Sequence, residues 1–316
     1  MIVRIGTRQS ALALTQARLV MAALAERGVA SELVTFTTVG DKKLDQPLHE
    51  IGGKGLFTKE LEDALAGGAI DCAVHSLKDL PTDSPPGLEV VAVLPREDPR
   101  DVLVVGPAIV AVGLGDLPRG ARVGTSSLRR RAQLAARRPD LELVELRGNV
   151  PTRLRKVDDG QVHAAVLAAA GLLRLDATQH ITAYLDAPAW LPAAGQGAIA
   201  VQIRGDDVSA RRTMGSLNDS ATMRAVTAER AMLGGLEGGC QVPIGALAIP
   251  SGDRLVLHGL IADVSGARIL RGHHAVDPAA PAEAGLALAR HLRALGAAEI
   301  LGALRSVARV PAPQPE

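Results

Sequence analysis

Short apolar segments alternate with amphipathic segments through the first two thirds of this 316-residue chain, and that alternation most constrains its fold. The apolar segments predict strands at 3–5, 31–37, 73–75, 88–93, 102–105, 122–124, 141–146 and 164–167. The amphipathic segments predict helices at 10–27, 58–67, 128–137, 151–158 and 168–175, with Ser10 and Thr58 capping the first two. This alternation is typical of α/β domains with parallel or mixed sheets.

The last third of the chain follows a different order. A helix is predicted at 220–233, then a glycine-rich turn, strands at 242–249, 255–262 and 268–274, and further helices through 307. This order predicts a small α+β domain, and the proline-rich tail at 310–316 is predicted to be disordered. Because the chain exceeds one typical core, we predict two or three domains. For three domains the expected ranges are 1–98 plus 193–214, then 99–192, then 215–309.

Composition excludes several classes of protein. The net charge is +1, so no overall field attracts the chain to nucleic acid or to a membrane surface. Two phenylalanines, one tyrosine and one tryptophan leave almost no platform for stacking single-stranded nucleic acid. No apolar run of about eighteen residues predicts a membrane span, and no signal-peptide pattern precedes the first strand. With only Cys72 and Cys240 as cysteines, the chain is expected to be reduced and cytoplasmic.

A charged cluster follows the strand predicted at 73–75, at the end of the strand where open α/β sheets place ligands. It contains Ser76, Lys78 and Asp79 and ends at Pro81. Asp79 has two interpretations: a turn aspartate that bonds its own backbone, or a carboxylate that stabilises a cationic intermediate. Opposite charges about 4 Å apart gain roughly 4 kcal/mol at an effective dielectric constant near 20, so an acidic side chain suits the second role.

Basic side chains recur where predicted strands pass into helices. The most specific of these turns places Thr125, Ser126 and Ser127 before Arg129 and Arg130, and it offers free amides, hydroxyls and a helix N-terminus to an anion. Arginines in the first turn of a helix oppose its dipole, which favours a bound anion, although each arginine alone is more often a solvated surface residue. Comparable turns carry a second set of polar residues: Arg8, Ser10, Arg147 and Arg153.

If the sheets are parallel, these turns all face one crevice. Arginine binds carboxylates through paired hydrogen bonds, so the crevice is predicted to hold a polycarboxylate or a phosphate. The sequence contains neither a Walker-type loop nor a dinucleotide fingerprint, which disfavours a phosphate cofactor. His75 and His163 lack metal-ligand spacing, so no metal site is predicted.

Cys240 lies in a turn with Gly238 and Gly239 before it and Pro243 after it. Glycine admits backbone conformations closed to other residues, and proline discourages a helix. The thiol is therefore either a small apolar group packed under a loop or an accessible point of covalent attachment.

Together these segments resemble the porphobilinogen deaminase family, also called hydroxymethylbilane synthase. The matching segments occur in order and are 7–10 (TRQS), 52–57 (GGKGLF), 75–81 (HSLKDLP), 96–101 (REDPRD), 124–130 (GTSSLRR), 146–149 (LRGN), 195–198 (GQGA) and 237–245 (EGGCQVPIG). Such a combination of motifs is highly specific. Ala11, Leu77 and Cys72 depart from the family's usual residues without affecting the expected activity, and Cys72 is predicted to be an inert core residue.

The resemblance implies two α/β lobes with mixed sheets, like the domains of periplasmic binding proteins, and a smaller α+β C-terminal domain. It implies that four porphobilinogen molecules are joined head to tail into hydroxymethylbilane with loss of ammonia, in tetrapyrrole biosynthesis. It also implies a dipyrromethane cofactor attached by a thioether to Cys240, with Asp79 as the catalytic carboxylate that holds pyrrole N–H groups and stabilises the azafulvenium formed when the amine leaves.

The same resemblance implies roles for further residues by position. Those that hold the cofactor are Ser76, Lys78, Thr125, Ser126, Ser127, Arg129, Arg130, Gln196 and Gly197. Those that hold the substrate are Arg8, Ser10, Gln16, Arg147 and Arg153. The loop 40–55 is the active-site lid, and the lid residues are Lys54, Phe57 and Lys59.

Two other classes of protein fit parts of the sequence. A two-lobed anion-binding sensor would also have an arginine-lined crevice, but it needs neither Asp79 beside Lys78 nor an accessible thiol. A nucleic-acid binder could use the arginines at 129–131 and 137–138, but near-neutral charge and few aromatic residues disfavour it. The resemblance implies that the partner is the small molecule porphobilinogen, and it favours a monomer. Composition disfavours a nucleic-acid or membrane partner.

Overall fold

The computed structural model describes residues 2–38, 40, 57–236, 242–252 and 254–307 of the chain. Several predictions fall outside these residues. They are the lid loop from residue 41 to residue 55, with Lys54; the glycine turn at Cys240; and the tail 310–316. The lid residues Phe57 and Lys59 are described.

The first sheet forms the first lobe with helices on both of its faces. Its strands are β1 (Val3–Arg8), β2 (Ser31–Phe36), β3 (Cys72–Ser76), β4 (Leu88–Val93) and β10 (Ile199–Arg204). Their order is β2-β1-β3-β10-β4, with β1 parallel to β2 and β3 and with β10 antiparallel to β3 and β4. Helices α1 (Ala11–Ala25) and α6 (Val208–Gly215) pack on one face, and α2 (Lys59–Ala66) packs on the other.

The second sheet forms the second lobe in the same manner. Its strands are β5 (Asp101–Val105), β6 (Arg122–Gly124), β7 (Glu142–Val144), β8 (Ala164–Ala168) and β9 (Ala183–Leu185). Their order is β7-β6-β8-β5-β9, with β6 parallel to β7 and β8 and with β5 antiparallel to β8 and β9. Helix α3 (Leu128–Arg137) covers one face, and α4 (Val150–Asp158) and α5 (Ala169–Arg174) cover the other.

Two crossing segments join the lobes, one after β4 and one before β10. They lie side by side, because Leu94 N donates to Ile199 O at 3.1 Å and Glu97 N donates to Gly197 O at 3.2 Å. Gly197 has a φ of +87°, and a Cβ there would lie 2.3 Å from the carbonyl oxygen of Glu97. Only glycine fits this close approach without strain.

A third unit carries the antiparallel sheet β11 (Ile244–Ser251), β12 (Arg254–Ala262) and β13 (Ile269–Val276). Helices α7 (Ser220–Gly235), α8 (Pro281–Leu292) and α9 (Ala298–Val307) accompany it. One face of the sheet packs on α7 and α8 through Leu257, Met232 and Leu288. The other face meets the second lobe at Leu260, Ala132 and Leu191.

The α/β class of both lobes and the α+β order of the third unit are confirmed. The helix predicted at 128–137 and the strand predicted at 88–93 have the predicted bounds. The first helix ends at Ala25 rather than near residue 27, and the hydroxyl of Thr58 makes no capping hydrogen bond to α2. The strands β9 and β10 and the helix α6 lie where no element was predicted. The ranges of the three domains stay a prediction, and all strands of each sheet fall within one of them.

Cys72 is fully buried in β3. Burial raises the pKa of its thiol to about 12, so the thiolate that reacts is scarcely populated at neutral pH. This agrees with the prediction of an inert core residue. No helix among the described residues has the length and apolar character needed to cross a bilayer.

Candidate active site

Two adjoining cavities open where the parallel strands of both lobes end. The inter-lobe cavity has a volume of about 510 Å³, and its polar lining residues are Gln16, Ser76, Lys78, Arg130, Arg153, Arg174 and Gln196. The Asp79 cavity has a volume of about 430 Å³, and its polar lining residues are Arg8, Ser10, Gln16, Thr58, His75, Ser76 and Asp79. Gln16 and Ser76 belong to both cavities, and the Gln16 amide donates to the Ser76 hydroxyl at 2.8 Å.

Capping residues fix the helices that carry the cavity side chains. Ser10 accepts a hydrogen bond from Ala13 N at the start of α1, and Ser127 accepts one from Arg130 N at the start of α3. Asn149 does the same at the start of α4, where its side chain accepts from Thr152 N at 2.9 Å. Each cap satisfies an otherwise unpaired backbone donor and so holds the following side chains at the strand ends.

Four basic side chains line the inter-lobe cavity: Lys78, Arg130, Arg153 and Arg174. Burial lowers the pKa of Lys78 to about 8. Burial also lowers the pKa of Arg153 to about 10, and the nearby charges of Arg130 and Arg147 add to that effect. Cations that have lost hydration and repel one another favour a multiply charged anion between them. Five arginines were expected to share one crevice. Arg130 and Arg153 line this cavity, Arg8 lines the Asp79 cavity, and Arg129 and Arg147 line neither of the two.

Asp101 is fully buried at the start of β5 and joins several of these elements. Its carboxylate accepts hydrogen bonds from Arg129 and Arg130, each at 2.7 Å, and from Trp190 and Gln196, each at 2.8 Å. Burial opposes ionisation of Asp101, but the charges of Arg129 and Arg130 outweigh it and hold the pKa of the carboxyl well below its usual range. Asp101 therefore supplies the negative charge that the arginines in the first turn of α3 require.

Arg130 keeps one donor for an external group. Its Nη1 donates to Val166 O at 2.9 Å and its Nη2 donates to Asp101, whereas its Nε is buried without a partner among the described residues. A buried donor without an acceptor costs free energy, about 1–3 kcal/mol. Because Arg130 lines the inter-lobe cavity, an anion held there would remove that cost.

Lys78 and Asp79 lie in the 3₁₀ turn Leu77–Asp79 that follows β3. Lys78 lines the inter-lobe cavity, and its ammonium donates to the side-chain oxygen of Gln196 at 3.3 Å. Asp79, the next residue, lines the other cavity. The turn therefore presents a cation to one compartment and a carboxylate to its neighbour.

The Asp79 cavity combines that carboxylate with a cation and a neutral imidazole. The guanidinium of Arg8 lies 4.3 Å from the ring centre of Phe57. His75 is buried, and burial lowers its pKa to about 4, so its ring is neutral at physiological pH. It lies 3.1 Å from the side-chain oxygen of Gln202.

Other predicted site residues have mainly internal partners in this structure. Thr125 accepts from Ser127 N at 3.2 Å, and Ser126 donates to Leu146 O at 2.6 Å. Arg129 donates to Leu191 O in addition to Asp101. Lys59 pairs with Asp63 at 2.7 Å with both side chains exposed, on the surface of α2.

Two residues of the site escaped the sequence analysis. Arg174 lies at the end of α5 rather than at a strand-to-helix turn, and its guanidinium donates to Gly197 O at 2.7 Å on the cavity wall. Asp101 occurs in the 96–101 motif, but its role depends on partners distant in sequence. The sequence feature that could have indicated this role is a charged residue at the first position of the otherwise apolar strand 101–105.

Within the described ranges, no group of three or more His, Cys, Asp or Glu side chains is placed to hold a metal ion. Most polar side chains of the inter-lobe cavity carry a positive charge or an amide group, which suits an organic anion.

The fold and the cavities together define a two-lobed α/β protein whose cleft is lined by basic side chains, with an α+β unit attached. Solved structures with a similar fold include the methionine-binding protein MetQ, at 16% identity and a TM-score of 0.44, covering 68% of this chain and 89% of that chain. Another is the VFT2 domain of Bordetella pertussis BvgS, at 18% identity and a TM-score of 0.42, covering 68% of this chain and 86% of that chain.

The chain belongs to the porphobilinogen deaminase family, the transferases that form hydroxymethylbilane in tetrapyrrole biosynthesis. The family model "Porphobilinogen deaminase, dipyromethane cofactor binding domain" matches residues 3–212, and "Porphobilinogen deaminase, C-terminal domain" matches residues 223–294. Porphobilinogen deaminase of Moorella thermoacetica is 53% identical over 301 residues, which cover 95% of each chain. That of Geobacter sulfurreducens is 50% identical over 300 residues, covering 94% of this chain and 93% of the relative.

The inter-lobe cavity fits the dipyrromethane group that the family carries. Each pyrrole of such a group bears two carboxylates, and the cavity offers Lys78, Arg153 and Arg174 together with the unpartnered Nε of Arg130. The amide of Gln196, 2.8 Å from Asp101, adds a polar group that is already oriented.

Proposed function

We propose that this protein joins four porphobilinogen molecules head to tail into hydroxymethylbilane, releasing ammonia at each addition, with Asp79 as the catalytic carboxylate. The observation that carries this proposal is the turn Leu77–Asp79, because its successive side chains line two adjoining cavities. One cavity can hold a polycarboxylate chain, and the other can oppose the positive charge that forms when an amine leaves. The family supplies the reaction and its substrate.

Asp79 acts in the smaller cavity, where porphobilinogen enters. Its carboxylate accepts hydrogen bonds from pyrrole N–H groups and stabilises the cation left on the substrate when ammonia departs. Arg8 and Ser10 line the same cavity and bind a substrate carboxylate, which orients the departing amine toward Asp79. A preorganised charge of this kind is typically worth about 100- to 1000-fold in rate.

The dipyrromethane cofactor lies in the inter-lobe cavity, held by Lys78, Arg130, Gln196 and Arg174, with Ser76 and Gly197 in the wall. When bound, it supplies the free pyrrole position to which the first substrate unit is joined. Arg153 lines the same cavity and is proposed, as expected from the sequence, to bind the substrate units. Arg147, whose positive charge helps to lower the pKa of Arg153, binds carboxylates of the lengthening chain. Arg129, Thr125, Ser126 and Ser127 hold α3 and Asp101 in place around it.

Cys240 is proposed as the cofactor's attachment point, although it lies outside the described residues. The flanking elements support this position. Glu229 of α7 is fully buried, and its carboxylate accepts from Gly195 N at 2.8 Å and from Ala248 N of β11 at 2.9 Å. Gly195 lines the inter-lobe cavity, so both elements that border the Cys240 turn are connected to the cavity wall.

Lys54, Phe57 and Lys59 are proposed as lid residues.

Intact-protein mass under denaturing conditions tests the cofactor. The wild-type protein should carry an excess mass equal to two deaminated pyrrole units, and Cys240→Ser should abolish it. A wild-type protein with the bare polypeptide mass, inert even after incubation with preformed hydroxymethylbilane, would refute the proposal.

Turnover of porphobilinogen tests Asp79. Asp79→Asn should lose at least roughly 100-fold in kcat while keeping its fold, because the charge that opposes the substrate cation is removed. Asp83→Asn, an exposed carboxylate in the following loop, is the matched control and should keep wild-type turnover. Near-normal turnover of Asp79→Asn would remove this residue from the mechanism.

We also propose that the enzyme is a cytoplasmic monomer that binds neither nucleic acid nor membranes. A net charge of +1 and the scarcity of aromatic residues support the absence of nucleic-acid and membrane partners. The family resemblance supports the monomer, and the two cysteines in unlike contexts support a reducing compartment. Light scattering on the purified protein should give the mass of one chain, and a dimer mass would contradict the monomer.

A further inference from the structure

We propose that Arg230 is a positioning residue for Asp79. It hydrogen-bonds to the backbone of the turn that carries this carboxylate and so connects the turn to the third unit. The proposal rests on the proposed function, because it concerns the orientation of the carboxylate assigned there to catalysis. Arg230 lies on α7, outside both cavities, and belongs to none of the sequence motifs discussed above.

The guanidinium of Arg230 contacts the backbone on both sides of Asp79. Its Nη1 donates to Leu80 O at 3.0 Å and to Leu77 O at 3.4 Å. Its Nη2 donates to Pro81 O at 2.5 Å and to Thr82 O at 3.3 Å. Leu77 begins the 3₁₀ turn that Asp79 ends, so one planar group fixes four carbonyls that bracket the carboxylate.

Arg230 adds a directional contact to the other supports of this turn, which are the hydrogen bond from Leu77 N to Ala198 O at 3.0 Å and the packing of Leu77 and Leu80 against Val226. The turn has few residues and one internal backbone bond, from Leu80 N to Leu77 O at 3.1 Å. A fork with several fixed N–H donors constrains direction as well as distance, which an ammonium group does not. A displacement of about 1 Å at a reacting group costs up to about 100-fold in rate, so support of this kind affects catalysis without substrate contact.

The helix that carries Arg230 also contacts the cavity wall through the preceding residue. Glu229 pairs with Arg96 of the crossing segment at 2.6 Å and accepts from Gly195 N. The segment 237–241, with Cys240, follows this helix in the chain. Two consecutive residues of α7 thus connect the unit that bears the proposed attachment point to the Asp79 turn and to the inter-lobe cavity.

The test compares holoenzyme variants on porphobilinogen, after cofactor occupancy has been verified by intact mass. Arg230→Ala should lower kcat roughly 10- to 100-fold with little change in KM, because it disturbs the reacting carboxylate rather than substrate binding. Added guanidinium ion should restore part of that loss. Arg224→Ala removes an exposed arginine from the same helix and should leave kcat unchanged.

A double-mutant cycle separates positioning from general stabilisation. In an Asp79→Asn background, Arg230→Ala should lower kcat by less than about 2-fold, because the group it orients has lost its charge. Equal losses in both backgrounds, or wild-type kcat in Arg230→Ala, would overturn the positioning role alone. Full activity of Asp79→Asn itself would overturn the proposed catalytic residue, and the positioning role with it.

Arg230→Lys keeps the test decisive should the alanine variant yield no folded holoenzyme. Lysine retains the positive charge and most of the length but loses the planar fork. It should fold, keep its KM and lose several-fold in kcat. Wild-type kcat in this variant would refute the need for the guanidinium.

Discussion

Replacement of Asp101 by asparagine tests the buried charge cluster most directly. Asp101 has no exposed surface, and Arg129 and Arg130, with about 5% of their surface exposed, both pair with it at 2.7 Å. Removing one partner of a buried ion pair typically costs about 3–5 kcal/mol, because the remaining charge is left without compensation. The amide of the new side chain would also direct N–H donors toward guanidinium donors. We therefore expect the Asp101→Asn variant to lose about 3–5 kcal/mol of unfolding free energy.

Urea unfolding of holoenzyme, followed by circular dichroism, measures this loss. The matched control is Asp159→Asn, an exposed carboxylate at the end of α4 in the same lobe, which should change stability by less than about 0.5 kcal/mol. The pH dependence gives a second check. The pKa of Asp101 is depressed, so its contribution is fully present above the usual aspartate pKa and is lost as pH falls below it. A loss below about 1 kcal/mol would show that the cluster does not stabilise the lobe junction.

Two further predictions concern the cavity and the crossing segments. Because the pKa of Lys78 is lowered to about 8, binding of hydroxymethylbilane to cofactor-free protein should weaken as pH rises above that value, by up to about 10-fold per pH unit. Lys78→Arg should flatten this profile, and a flat wild-type profile would contradict the assignment. Gly197→Ala should destabilise the protein by about 2 kcal/mol or more, since its Cβ meets Glu97 O. Gly160→Ala is the control, because Gly160 has a similar positive φ but no atom near the new Cβ. Equal losses of stability in the two variants, measured by thermal unfolding, would show that the contact with Glu97 O is not the cause.

The sequence was sufficient for elements whose boundaries are set locally. Helix α3 begins as predicted because Ser127 caps it, and it ends as predicted because Pro139 disfavours a helical conformation at the residue before it. Strand β10 was missed although its segment is apolar. It pairs in antiparallel fashion between β3 and β4, whose residues lie far from it in the chain, so local patterns gave no reason to place it there.

The candidate site shows the same division. Arg130 and Arg153 follow the parallel strands β6 and β7 of one sheet, and the rule that parallel strands end at one edge predicts their common cavity. Arg8 follows a strand of the other sheet and lines the neighbouring cavity instead. The pairing of Arg129 with Asp101 could not be predicted, since it depends on how β5 lies relative to α3. Arg174 was missed for a related reason: it reaches the cavity from the far end of α5.

Lys78 and Asp79 are consecutive residues that face different compartments. A change in the length of this loop would therefore affect two properties together. These are the binding of the assembled chain by Lys78 and the reaction of the incoming substrate at Asp79. Insertion or deletion of one residue in this 3₁₀ turn would rotate the acidic and basic side chains by about 120° and so displace both groups together. Point substitutions that preserve the spacing can instead adjust either compartment alone.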